Sequence, residues 1–158
     1  MDNTAEASRF INVAAFGDDK ADLDRLVNQN AEDWVRQQMN MTHQPYLQQT
    51  LDRLAAMNGK GPQNSAHNIV FWKRMISSDD QLRHRMTYAL SQIVVVSDRS
   101  IGNTKAMAYY MDILGENAFG NYKDILMDIT YSPAMSDYLT YRNNKKANPE
   151  TGRMPHEN

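Results

Sequence analysis

Apolar residues return every three or four positions along most of the chain, in short blocks separated by turn chemistry. That is the period of helices that each bury one face. Ala7, Phe10, Ile11 and Ala14 form the first stripe, with Asn3 and Glu6 spaced to cap it and Gly17 placed to end it. Leu23, Leu26 and Val27 predict a second short helix behind Asp18 and Asp19. Asn30 is placed to cap a third, with Glu32 and Asp33 in a first turn that favours acidic side chains, followed by Trp34, Val35 and Gln38. A fourth carries Leu47, Leu51, Leu54 and Ala55 and closes in NGKGPQN at 58–64.

Ile69, Trp72 and Ile76 predict the inward stripe of a fifth helix. In SSDDQLRHRMTYALSQIVVVSD (77–98), Ser78 and Gln81 have the spacing of a capping box. Leu82, Met86, Ala89, Leu90, Ile93, Val94 and Ser97 then continue one face, which predicts a helix running through the valines as the central buried element. Met107, Tyr110, Met111, Leu114 and Ala118 mark the next helix, with Gly120 as its stop and Asn121 as the following cap. Tyr122, Ile125, Leu126 and Ile129 repeat the spacing. Ser132-Pro133 opens a last helix with Met135, Tyr138 and Leu139. No stretch predicts a strand and no repeat is visible. The expected fold is all-α: an orthogonal or bundle-like array of about eight short-to-medium helices. It would form one helical domain over 1–141, followed by an irregular loop or tail over 142–158, where disorder is expected.

Composition narrows the function without choosing it. A chain of 158 residues suits one domain with a real core. With 41% hydrophobic and 23% charged residues it is globular in type. A net charge of −2 gives no footprint for nucleic acid. No window has the apolar length of a membrane span, and MDNTAEASRF lacks the pattern of a signal peptide. The absence of cysteine removes disulfides, thiolate metal sites and a cysteine nucleophile. The 11 methionines read as adaptable core filler.

Five stretches then carry a resemblance: ASRFINVAAFG (7–17), FWKRMI (71–76), QLRHRMTYALSQIVVVSD (81–98), NAFGNYKDILMDITYSPAMSDYL (117–139) and KKANPETGRMPHEN (145–158). In order and spacing they resemble the bacterial family called domain of unknown function 1800. The resemblance covers nearly the whole chain and only the first part of a typical domain of that family. It implies a truncated reading frame or fragment, with Glu157 and Asn158 as the first residues of a following helix. It also implies an exported protein, periplasmic or extracellular, and no established reaction to carry over. The chain departs from the family pattern at Asp18 and at His156, the latter where a carboxylate or amide is usual.

The candidate chemistry is sparse. His43, His67, His84 and His156 lack metal-binding spacing, and no cofactor is expected. His84 lies between Arg83 and Arg85, so like charge is expected to disfavour its cationic form. Ser91 lies outside any nucleophile elbow, and Ser132 is explained by capping. Asp124 and Asp128 share a helix face that reads as solvated. Arg85, Tyr88 and Gln92 lie beside the apolar stripe, either as a buried strut or as an anion-binding set in a cleft. The candidate polar sites are therefore Arg83, Arg85 and Gln92, with Lys146, Glu157 and Asn158 in the tail. The expected role is a structural or binding module. Its expected partner is the missing C-terminal part of the same domain, or another copy through exposed apolar faces. The alternative is part of a hydrolase acting on envelope or extracellular polymers.

Overall fold

The computed structural model describes residues 3–17 and 20–155. Asp18, Asp19, His156, Glu157 and Asn158 thus lie outside the described residues. Within them ten α-helices follow one another through short connections, and no strand forms. α1 (Thr4–Ala14) begins where Asn3 Oδ1 accepts from the Glu6 amide at 2.9 Å. α2 (Lys20–Val27) and α3 (Ala31–Asn40) follow, and Asn30 caps α3 through the Glu32 amide. Ala7, Ile11, Ala14, Leu26 and Trp34 close a small apolar cluster, with Phe10 edge-on to Trp34.

α4 (Tyr46–Met57) ends at Asn58, which takes the left-handed conformation of a helix stop. α5 (Ala66–Ser77), α6 (Gln81–Ile93), the one-turn α7 (Asp98–Ile101) and α8 (Thr104–Glu116) follow. α9 (Tyr122–Thr130) is capped by Asn121, and α10 (Pro133–Tyr138) by Ser132. α8 is the hub: it packs on α4, α5, α6, α7, α9 and α10. Its Met107, Tyr110, Met111, Ile113 and Leu114 sit at the centre of the main core.

Three expectations are corrected. α8, not α6, is the central helix, and α6 stops at Ile93 rather than running through the valines. The Tyr110 phenol donates to the Val94 carbonyl, and β-branched residues give little helix propensity to resist that exit. Second, the faces of α5 and α6 are turned. Ala66, His67, Val70, Arg74 and Met75 face inward on α5, while Ile69, Trp72 and Ile76 face out. On α6 Leu90 is buried as expected, and Leu82 and Val94 pack against the cores, but Arg83, His84 and Thr87 are buried beside them while Ala89 and Ile93 are exposed. On α4, likewise, Tyr46 and Thr50 lie deepest and Ala55 is exposed.

The capping box at Ser78 is the third correction. Ser78 terminates α5, its hydroxyl 3.3 Å from Arg74 Nε, and Gln81 Nε2 instead donates to the Ser78 carbonyl at 2.7 Å. Asn148 and Arg153 exchange two backbone hydrogen bonds, and Gly152 takes φ +66° in the turn between them.

Candidate functional site

Among the described residues, α5 and α6 carry buried polar chemistry on one side and an open aromatic face on the other. Inside, α4 begins at Pro45, which offers no side-chain cap. Asp112 of α8 takes that role: its carboxylate accepts from the Tyr46 amide and, at 2.9 Å, from the Leu47 amide. A buried anion at a helix N-terminus is favoured by the orphan N–H groups there. His43 Nε2 approaches the same carboxylate at 3.3 Å.

Behind this cap runs a chain of buried groups. The Tyr46 phenol and His84 Nδ1 share a hydrogen bond. His84 Nε2 lies 2.9 Å from Asp80 Oδ1, a charge contact off the line of an aligned hydrogen bond. Arg74 pairs with Asp80 at 3.5 Å, donates to the Gln44 carbonyl and stacks 5.0 Å over the Tyr46 ring. Burial pushes the His84 imidazole below its ordinary value, against the pull of Asp80, with Arg74 and His43 adding to the depression. The direction is as expected from the sequence, but the main cause is burial rather than the flanking arginines. Burial also opposes ionisation of Asp80, yet His84 and Arg74 outweigh it and hold the carboxyl below the usual range. Burial raises the Tyr46 phenol, with Asp80 and Asp112 adding to the rise against Arg74. The resulting state is a neutral phenol, a neutral imidazole and a carboxylate.

Arg83 is a strut. Its guanidinium donates to the carbonyls of Gly115 and Met41, each at 2.9 Å, and stacks over Phe119. A planar fork that reaches two chain segments ties α6 to α8 and to the end of α3. His67 plays a similar part at the other end of α5, where its Nδ1 is 3.1 Å from Thr104 Oγ1 and its Nε2 3.3 Å from Asp98.

Outside, the picture reverses. Ile76 is 80% exposed, Ile93 64% and Trp72 51%. Tyr88 meets Trp72 and Phe71 on one side and Phe16 edge-on on the other. Arg85 is half-buried with its guanidinium 5.2 Å over Phe16, and it makes no hydrogen bond or ion pair among the described residues. Gln92 is exposed and reaches only Ser91.

The sequence-predicted candidates are therefore not gathered at one point. Arg83 belongs to the core, Arg85 and Gln92 to the outer face, and Lys146 to the tail, where its carbonyl accepts from Arg153. Glu157 and Asn158 lie outside the described residues. Sequence reasoning missed His43, Tyr46, Arg74, Asp80 and Asp112. Arg74 and Asp112 leave in sequence only a polar side chain inside a helical period, which ordinarily reads as surface, and His43 and Asp80 lie in connections with no period at all. A depression of about 560 Å³ reaches the Arg74–Asp80 end of the network, with Thr42, Gln44 and Lys73 on its walls. Among the described residues no three His, Asp or Glu side chains come together in a metal-binding arrangement. No helix among them is long and apolar enough to cross a membrane.

No curated protein and no solved structure matches the chain. A model of the family described as "Protein of unknown function (DUF1800)" matches residues 9–158, nearly the full length, and the chain belongs to that family.

Proposed function

We propose that the chain is a helical structural and binding module that presents the outer face of α5 and α6 to a protein partner. The observation that carries this reading is the inversion of the two helices. His67, Arg74, Arg83 and His84 are buried, while Ile69, Trp72, Ile76 and Ile93 are left in solvent. Contiguous exposed apolar surface marks interaction sites, and interface centres are rich in Trp, Tyr and Arg. Trp72, Tyr88 and Arg85 supply that set on one face. The buried network supports the same reading, because its groups are spent on joining α4, α5, α6 and α8. A neutral, buried Tyr46 phenol offers neither base nor nucleophile near neutral pH. A hydrolase-type site has the Arg74–Asp80 edge of the open depression in its favour, but there Asp80 is already committed to His84 and Arg74.

The test uses Lys73, which is exposed beside Trp72. Lysine-directed crosslinking in intact cells, read by mass spectrometry, is expected to join Lys73 to another polypeptide molecule. That product should vanish in a Trp72→Ser, Ile76→Ser double variant. If Lys73 yields only intramolecular or dead-end products, the binding reading is overturned.

A further inference from the structure

We infer that the partner of the α5–α6 face is a second copy of this chain, docked through its α9. The inference rests on the reading of α5–α6 as a binding face. Its first support is charge. The chain carries a net charge of −2, yet neither α5 (AHNIVFWKRMIS) nor α6 (QLRHRMTYALSQI) contains an Asp or Glu. On the outer face this leaves Lys73 exposed and Arg85 stacked on Phe16 without an anion. A purely apolar partner would bury that guanidinium unpaired, which is costly. A matching partner brings apolar side chains and a carboxylate together.

α9 presents that combination. Of its nine residues only Ile125 and Ile129 are buried. On its exposed side Asp124, Met127, Asp128 and Tyr131 stand at i, i+3, i+4 and i+7, a stripe of alternating acid and apolar groups that runs to the C-cap residue. Tyr131 is 79% exposed and Met127 50%. The Asp128 carboxylate accepts from Asn117, whereas that of Asp124 makes no hydrogen bond or ion pair among the described residues. α9 therefore offers the free carboxylate that Arg85 lacks, flanked by side chains suited to pack on Trp72 and Tyr88. This is the helix-on-groove mode of recognition, with specificity set by one charge pair. Because the two faces differ, the contact is head-to-tail: each copy can both give an α9 and receive one, so assembly continues until a ring closes.

Sedimentation velocity of the full chain over a concentration series tests the inference. Association that grows with concentration and weakens at raised salt is expected. Arg85→Glu and Asp124→Lys should each weaken it about tenfold or more, and the double charge reversal should restore it. Mixing the two single variants should likewise restore assembly, in alternating order, because each unchanged face meets its native complement and each reversed face meets its reversed complement. Met127→Ser with Tyr131→Ser gives a charge-independent second check, and circular dichroism confirms that each variant is folded. A monomer at every concentration, or association indifferent to all these changes, would overturn the inference. If the chain is a monomer yet Lys73 still crosslinks to a different polypeptide, the second-copy inference fails and the binding module stands. If that crosslink is absent as well, both fail.

Discussion

The imidazole of His43 fills the space over Gly115 on α8: a Cβ at Gly115 would stand 2.6 Å from His43 Cε1. The glycine lets the connection between α3 and α4 lie directly on the hub helix. That approach brings His43 to Asp112 and lets Arg83 bridge Gly115 and Met41.

Gly115→Ala is accordingly expected to destabilise the fold, although alanine is the better helix former. Overpacking at a tight contact costs about 1–3 kcal/mol, against roughly 1 kcal/mol gained in propensity. A double-mutant cycle with His43→Ala, followed by urea denaturation, isolates the contact. An alanine variant more stable than the parent would show that His43 moves aside freely.

Asp112 is predicted to be the anchor of α4. Asp112→Ala strips the acceptors from the Tyr46 and Leu47 amides and should cost about 1–3 kcal/mol. Asp112→Asn keeps one carbonyl oxygen and should lose less. Equal and negligible losses, under about 0.5 kcal/mol, would mean that water replaces the carboxylate without penalty.

These residues mark the limit of what could be read in the chain. Asn3, Asn30, Asn121 and Ser132 were legible as caps because a cap is decided within four residues. Ser78 was not, because its hydroxyl is engaged by Arg74 and Gln81 turns back to its carbonyl. The helical class and most of the elements follow from period alone, but the facing of α5 and α6 does not. Period assumes that polar side chains point outward. Arg83 and His84 point inward because Gly115 and Tyr46, more than thirty residues away in sequence, supply their partners. The candidate site suffered the same way, with Arg85 visible as a polar residue beside a stripe and its stacking on Phe16 invisible.

Stability should fall on mild acidification, and the sign follows from the buried imidazoles. His67 and His84 are both pushed below their ordinary 6.5, mainly by burial. As pH drops through that value the unfolded chain binds protons that the folded chain refuses, so unfolding is favoured. Asp80, held below its ordinary 3.8, adds a second loss as pH falls through that range. Urea midpoints measured from about pH 7.5 to 5 should decline, by at most about 1.4 kcal/mol per pH unit for each histidine. His84→Gln should flatten the decline even though the variant starts less stable. An unchanged slope would remove His84 as a contributor.

Met75 and Ile76 put the inversion of α5 to its sharpest test. They are neighbours in sequence, similar in hydrophobicity, and 1% and 80% exposed. The stripe Ile69, Trp72, Ile76 made Ile76 the expected core residue, and the fold assigns that place to Met75. Met75→Ala removes a side chain packed in the interior and should cost about 2–5 kcal/mol, with the spread set by how far the site collapses. Ile76→Ser removes apolar surface that water already covers and should change stability by less than about 0.5 kcal/mol. If Ile76 instead packs against a second copy, its substitution should also lower the melting temperature more at high protein concentration than at low, because association stabilises only the folded chain. Thermal unfolding of both variants at two concentrations separates these effects. A large loss for Ile76→Ser at low concentration, with little for Met75→Ala, would mean that the inward face of α5 is the stripe of the sequence after all.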